Sequence, residues 1–103
     1  NKQGRIEINI GVSYKSDIEK ARELILEAAK EHKYCSKNPE ANCFLKEYAD
    51  SSVNFLLYFW IDDVTLGRLE ARSDVMRSIW KKFKQHNIEI PFPQRDVHII
   101  KEE

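Results

Sequence analysis

The stretch VNFLLYFWI, residues 53–61, sets the architecture of this chain. Successive side chains of a β-strand point to opposite faces of a sheet, so residues 53, 55, 57, 59 and 61 share one uniformly apolar face. The opposite face carries Asn54, Leu56, Tyr58 and Trp60. A strand that is apolar on both sides is either central in its sheet or covered by something beyond the domain. We therefore expect the face of Leu56, Tyr58 and Trp60 to need a partner.

Two more strands are predicted upstream of this stretch. The turn residues Asp50-Ser51-Ser52 separate it from residues 43–49, so the two segments are expected to pair as a β-hairpin. Near the amino terminus, apolar side chains alternate with polar ones, and this period of two indicates a strand with one buried face. Its apolar members are Ile6, Ile8, Ile10, Val12 and Tyr14.

A helix is predicted between the first strand and the hairpin. Ser16 and Glu19 have the spacing of a capping box, in which each side chain accepts a hydrogen bond from the other residue's backbone N–H. Apolar residues then recur at helical spacing and predict one buried stripe. The helix is expected to end near His32 or Lys33. The stripe consists of Ile18, Ala21, Leu24, Ile25, Ala28 and Ala29.

A second helix is predicted from about Leu66 to His86. It follows Asp62-Asp63, a pair interpreted as a solvated turn or helix start. Asn87 stands where the helix should stop, and asparagine tolerates the left-handed backbone that ends helices. The predicted buried stripe of this helix consists of Leu69, Val75, Met76, Ile79, Trp80 and Phe83.

The carboxyl-terminal stretch combines a stiff segment with a short strand. Ile90 and Phe92 each precede a proline, which favours extended backbone at both positions. The two prolines cannot donate hydrogen bonds to a sheet, so residues 90–93 are expected to be rigid and to lie outside it. Val97 and Ile99 then resume alternation around His98 and predict a short final strand.

The predicted order is strand, helix, strand, strand, helix, strand. This is the order of the ferredoxin-like α+β fold, a two-layer βαββαβ sandwich in which two helices cover one face of a four-stranded antiparallel sheet. A length of 103 residues suits one domain, residues 1–103. Because the chain begins at Asn1 without an initiator methionine, we interpret it as a piece of a larger protein.

Charge and hydropathy argue against two classes of function. The chain carries 17 basic and 17 acidic residues, and this balance disfavours a general affinity for nucleic acid or anionic lipid. Its longest apolar run, residues 55–61, is much shorter than the roughly 20 residues of a membrane-spanning helix.

The residues that commonly carry chemistry form no recognisable site. His32, Cys35 and Cys43 lack a fourth ligand and a paired C-x-x-C arrangement, so no metal site is expected. Both cysteines are expected to be reduced. The three glycines are too scattered for a phosphate-binding loop. We therefore expect no enzyme activity and no cofactor.

RNA binding is an alternative that the fold class suggests. Sheets of this architecture stack bases on aromatic side chains, and Tyr58 and Trp60 invite the comparison. However, the strand lacks the K/R-G-F/Y-G/A-F-V-x-F/Y pattern, and no basic residues are expected to frame it. A regulatory module that binds RNA or a small ligand is thus the second hypothesis.

Three stretches resemble one known family. They are IGVSYKSDIEKARELI (residues 10–25), YADSSVNFLLYFWI (residues 48–61) and IEIPFPQRDVHI (residues 88–99). In this order and at these spacings they resemble the C-terminal cytoplasmic α/β domain of small-conductance mechanosensitive channels, from Arg5 to Ile100. The most specific parts are residues 11–14 and 90–94.

The resemblance implies a structural role without catalysis. Such channels are homo-heptamers of the inner membrane. The transmembrane helices that anchor them there would lie outside this sequence. Seven copies of the cytoplasmic region form a hollow cage with lateral openings. Opening under membrane tension releases ions and small osmolytes, protecting the cell in hypo-osmotic shock. The resemblance therefore implies that this chain is a wall of that vestibule, with identical subunits as partners and no nucleic acid.

Two contact surfaces are expected on this interpretation. Leu56, Tyr58 and Trp60 are predicted to pack against a neighbouring subunit or an upstream domain, because large apolar patches usually mark a partner surface. Pro91, Phe92 and Pro93 form a rod with little conformational freedom to lose, which favours its use as a contact. Phe92 is then an anchor between subunits, with Gln94 and Arg95 at the border of the contact. With equal weight, Phe92 closes the core of its own domain beneath the second helix.

Overall fold

The computed structural model describes residues 4–62 and 67–91. Five elements follow one another along these residues. They are β1 (Gly4–Val12), α1 (Ile18–Glu31), β2 (Asn42–Tyr48), β3 (Val53–Ile61) and α2 (Arg68–Gln85). The predicted α+β class and the first five elements are therefore confirmed. The predicted place of Tyr14 on the buried face of the first strand is wrong, because β1 ends at Val12 and Tyr14 is 50% exposed. The predicted final strand with Val97 and Ile99 lies outside the described residues, so the described sheet has three strands and not the predicted four.

The sheet places β3 at its centre. Its order is β1-β3-β2, and both pairings are antiparallel. The β1–β3 register runs from Gly4 opposite Ile61 to Val12 opposite Val53 without interruption. The β2–β3 register shifts between Leu45 and Glu47, which leaves Lys46 as an extra residue on the edge strand. The central position of β3 explains why its sequence is apolar on both sides.

One face of this sheet and both helices close a common core. The inward positions of β1 and β3 are almost completely buried, with burial alternating along both strands. α1 packs on β2 and β3, α2 packs on β1, and the two helices pack on each other. The largest fully buried side chains are Phe55, Phe59 and Phe83. The described residues of this chain thus form a hydrophobic core of their own.

The start of α1 differs from the predicted capping box. Asp17 is the N-cap, and its carboxylate accepts a hydrogen bond from the Lys20 N–H at 3.1 Å. The Ser16 hydroxyl oxygen instead accepts from the Glu89 N–H at 3.1 Å. The capping-box prediction is wrong because a segment far away in the sequence occupies the Ser16 oxygen. The predicted stripe of α1 is otherwise confirmed, with its end at Glu31 and Ile18 only half-buried.

The buried stripe of α2 is narrower than predicted. Val75, Ile79 and Phe83 are buried, together with Ala71. Leu69, Met76 and Trp80 are 79%, 42% and 55% exposed, so their predicted burial is wrong. The buried residues repeat every four positions and form one line along the helix. Met76 and Trp80 follow Val75 and Ile79 in the sequence, so their side chains are turned by about 100° around the helix axis from that line. As predicted, Asn87 has a positive φ of 59° directly after the helix.

Candidate functional site

The face of the sheet opposite the core carries an apolar centre, here called the open sheet face and defined by Phe44, Leu56, Tyr58 and Trp60. Phe44 on β2 pairs with Leu56 on the central strand, so both side chains lie on this side of the sheet. The centres of the Phe44 and Tyr58 rings are 5.8 Å apart. The three β3 residues are half-buried, and Phe44 is 49% exposed. The described structure thus brings the three predicted contact residues of β3 together.

Neighbouring strands supply the partial burial of this face. The Arg5 guanidinium lies 4.6 Å from the centre of the Tyr58 ring, and its nitrogen lies 2.6 Å from a carboxylate oxygen of Glu7. On the other side of β3, the Lys46 ammonium donates to the Asn9 side-chain oxygen at 3.2 Å. Arg5 and Lys46 therefore border the aromatic centre, and the expectation that no basic residue frames it is wrong.

The loop after α1 fastens the Trp60 end of β3. The Ser36 N–H donates to the Trp60 carbonyl oxygen at 2.7 Å, and Cys35 forms an isolated bridge with Ile61. The Asp62 N–H donates to the Tyr34 carbonyl oxygen at 3.4 Å. Trp60 consequently projects from a backbone that is held on more than one side.

The stretch Gly11-Val12-Ser13-Tyr14 joins three parts of the domain. A Cβ atom on Gly11 would lie 3.0 Å from the Asn54 side-chain oxygen, so glycine leaves room on β1 for the Asn54 side chain of β3. The Ser13 N–H donates to the Glu89 carbonyl oxygen at 2.8 Å, and the Tyr14 hydroxyl donates to the Ala49 carbonyl oxygen. Periodicity reports none of these contacts, because each reaches a distant part of the sequence.

The edge strand β1 of the described sheet and the outer side of α2 enclose a groove of about 240 Å³. We call it the β1–α2 groove, and its existence is not evident from the sequence. Its lining residues are Asn9, Ile10, Gly11, Met76, Ile79, Trp80 and Ile90. Two of them, Met76 and Trp80, are the exposed α2 residues that were expected in the core.

The predicted carboxyl-terminal contact segment begins beside this groove. Pro91 is half-buried and is the last described residue. Phe92, Pro93, Gln94 and Arg95 lie outside the described residues, so their predicted roles stay predictions.

Both cysteine thiols are free and have raised pKa values. No disulfide joins Cys35 and Cys43. Burial raises the pKa of the Cys43 thiol to about 11, although the Arg22 charge opposes the shift. Burial, together with the Asp62 charge, also raises the pKa of Cys35. Both groups are therefore protonated at neutral pH and are weak nucleophiles.

Within residues 4–62 and 67–91, no three histidine, cysteine, aspartate or glutamate side chains lie close enough together to hold a metal ion. Neither of the two helices there combines the length and apolar composition needed to cross a membrane.

Known proteins resemble this chain over most of its length. The family described as "Mechanosensitive ion channel MscS, C-terminal" matches residues 6–90. An uncharacterized MscS family protein of Archaeoglobus fulgidus is 37% identical over 101 residues, which cover 95% of this chain and 34% of that protein. One from Synechocystis sp. is 36% identical over 99 residues, covering 96% of this chain and 33% of that protein.

A solved structure agrees with these relatives. The closed-state crystal structure of Helicobacter pylori MscS superposes with a TM-score of 0.79 at 29% identity, covering 94% of this chain and 38% of that one. The chain spans about a third of the length of the relatives from Archaeoglobus fulgidus and Synechocystis sp.. Both curated relatives are named as members of the MscS family. The family match over residues 6–90 and the shared fold show that the chain belongs to the MscS family of mechanosensitive ion channels and corresponds to its C-terminal domain.

Proposed function

We propose that this chain forms part of the wall of the cytoplasmic vestibule of a mechanosensitive channel. In this proposal seven identical copies surround an aqueous chamber, and the channel lies in the inner membrane. The pore opens under membrane tension and releases ions and small osmolytes in hypo-osmotic shock. The observation that carries the proposal is the family match over residues 6–90, which covers all five described elements almost completely.

The open sheet face supports an assembly role for the domain. Leu56, Tyr58 and Trp60 form its apolar centre with Phe44, yet none of the four is fully buried. Removing a half-exposed Leu or aromatic side chain from water contributes about 25 cal/mol per Å² of apolar area. Charged and polar side chains border the apolar centre, as they do in many protein–protein interfaces. We propose that a neighbouring subunit or an upstream domain of the same channel covers this face.

The segment after α2 is the second proposed contact. Pro91 and Pro93 restrict its backbone, so ordering it against another surface costs little conformational entropy. In this proposal Gln94 and Arg95 border a contact between subunits or an opening of the cage.

The function is tested in a channel that carries this chain as its C-terminal part. That channel is expressed in bacterial cells lacking their own mechanosensitive channels, and survival of sudden dilution is measured together with tension-activated currents in membrane patches. We expect rescue of survival and channel openings that follow applied tension. Expression in the membrane without currents and without rescue would refute the proposal.

The contact is tested with two tyrosines of the same sheet. Tyr58→Asp introduces a charge into the open sheet face, whereas Tyr48→Asp changes a 72% exposed tyrosine on the edge strand β2. Native mass spectrometry of the purified channel should show loss of the heptamer for Tyr58→Asp and an intact heptamer for Tyr48→Asp. The opposite pattern, or an intact heptamer in both variants, would show that the open sheet face is not a subunit contact.

RNA binding remains a second candidate because Arg5 and Lys46 border the aromatic centre. Arg5 is already paired with Glu7 and stacked on Tyr58, which leaves less of both groups for a base. We therefore expect no shift of mixed single-stranded RNA by this chain in a gel at physiological salt. A shift that Tyr58→Asp abolishes would favour the RNA-binding module.

A further inference from the structure

The β1–α2 groove is apolar and lies open at the side of the domain. Met76 and Trp80 on α2 are 42% and 55% exposed, although the same helix buries Val75 and Ile79 completely or nearly so. Across from them lies β1, which forms one edge of the described sheet. An apolar groove beside an edge strand of the described sheet exposes surface that an additional side chain can cover.

The chain itself leads into this groove. Ile88 is buried after α2, and its N–H donates to the Phe83 carbonyl oxygen at 2.9 Å. Glu89 is then held on both sides, because its N–H donates to Ser16 and its carbonyl oxygen accepts from the Ser13 N–H. These bonds place Ile90 in the groove, where it is 39% exposed. The described residues end one position later, and 12 residues follow Pro91.

The first of those residues has the right chemistry to fill the groove. Ile90 and Phe92 both precede proline, which disfavours helical backbone and favours extension at each position. In an extended chain residues two apart project to the same side, about 7 Å from one another. Extended backbone at both positions would put the Phe92 side chain on the side on which Ile90 enters the groove. A dry cavity of about 150 Å³ holds a benzene molecule, so a groove of about 240 Å³ has room for a phenyl ring.

Two competing occupants fit less well. A strand made of residues 91–93 and paired with the β1 edge would lack two backbone donors, because Pro91 and Pro93 have no N–H group. The Phe92 of a second copy would have to displace a side chain that is only two residues from Ile90. A link that short gives the intramolecular side chain an effective concentration of about millimolar or more.

We propose that the β1–α2 groove is the seat of the Phe92 side chain of the same chain. Phe92 then packs against Met76 and Trp80 and completes the covering of α2. This contact is a property of the domain alone and holds whether or not the chain lines a channel vestibule.

The single methionine of the chain makes the test direct. Met76 is the only methionine, so labelling methionine methyl groups with ¹³C gives one resonance that reports on the groove. In the 103-residue chain we expect nuclear Overhauser contacts between this methyl group and a phenyl ring. The contacts should disappear in Phe92→Leu, persist in Phe92→Tyr and persist in Phe44→Leu, which changes a half-exposed phenylalanine on the open sheet face.

A mixed sample separates the intramolecular seat from exchange between copies. One population carries labelled methionine methyl groups on a deuterated background, and the other carries protonated phenylalanine. The proposal requires that this mixture show no methyl–phenyl contact. Contacts in the mixture would assign the groove to a second copy. A methyl resonance that is unchanged in Phe92→Leu, or contacts that survive it, would leave Phe92 outside the groove and overturn the proposal.

Discussion

His32 joins the end of α1 to the middle of α2, because its Nε2 atom lies 3.1 Å from a carboxylate oxygen of Asp74. The Tyr34 N–H donates to the other ring nitrogen, Nδ1, at 3.2 Å. A backbone N–H can only donate, so Nδ1 carries the lone pair and Nε2 carries the proton that is donated to Asp74. The His32 side chain is only 8% exposed, and both of its nitrogens are satisfied.

This bridge should stabilise the packing of the two helices. We expect a double-mutant cycle of His32→Ala and Asp74→Ala to give a coupling energy of about 1 kcal/mol in urea unfolding, because one hydrogen bond to a charged group is lost. The cycle removes the effect of alanine on helix propensity. A parallel cycle of Asp74→Ala with the exposed His86→Ala should give no coupling. Equal coupling in the two cycles would show that the His32–Asp74 contact contributes nothing specific.

Lys82 forms a second link between the helices, with its ammonium 3.1 Å from Glu31 and 3.2 Å from Glu27. Burial lowers the pKa of Lys82, but the hydrogen bonds and charges of Glu31 and Glu27 outweigh burial and raise it above 10.5. Both glutamates are 55% exposed and screened by water, so Lys82→Met should lower the free energy of unfolding by at most about 1 kcal/mol.

The pH dependence of this link has a definite sign. A lysine whose pKa is raised on folding adds stability below its unfolded pKa, and this stability is lost as the pH rises through the folded pKa. The difference between the native chain and Lys82→Met should be full at neutral pH and shrink above pH 10.5. Lys81→Met, at an exposed neighbouring position, should show no such difference. A constant difference for Lys82→Met across this range would mean that packing and not charge is responsible.

Two adjacent leucines of β3 should differ sharply in their contribution to stability. Leu57 is completely buried in the core, whereas Leu56 is half-buried on the open sheet face. Leu57→Ala should lower the free energy of unfolding of the isolated chain by about 2–5 kcal/mol. Leu56→Ala should cost about 1 kcal/mol or less, because less apolar area is involved. Equal losses in chemical denaturation would contradict the assignment of the two faces.

The cysteines should be slow to react in the folded chain. The pKa of Cys43, raised to about 11 by burial, leaves almost no thiolate at neutral pH. We expect iodoacetamide to label Cys43 only after unfolding in guanidinium, with the Cys35→Ser variant allowing Cys43 to be followed alone by mass spectrometry. Labelling of Cys43 in the native chain at the rate of a free thiol would contradict the prediction. It would mean that the core around Cys43 opens readily.

The periodic parts of the fold were predictable from the sequence. β3 has the predicted bounds, residues 53–61, and α1 buries five of the six residues of its predicted stripe. These patterns depend on the geometry of a single helix or strand, which every residue in the element shares. The likeness of three stretches to one channel family was also recognisable, and the family match confirms it.

The contact residues were only partly predictable. The pattern of β3 indicated that Leu56, Tyr58 and Trp60 share a face, and the register of the sheet adds Phe44 to them. The β1–α2 groove was not predicted, because Met76 and Trp80 fit the helical period of the core as well as Val75 and Ile79 do. The helix alone does not determine which of two neighbouring rows of apolar side chains is buried. The packing of the other elements against the helix determines it.

Local chemistry thus specified the elements of this domain, and the packing of distant segments specified what each side chain does. Ser16 illustrates the difference. Its spacing from Glu19 suits a capping box, yet its hydroxyl binds Glu89, 73 residues further along the chain, and Asp17 caps the helix in its place. A hydrogen-bond acceptor serves whichever donor the folded chain brings closest, and that donor is known only when the helices and the sheet have come together.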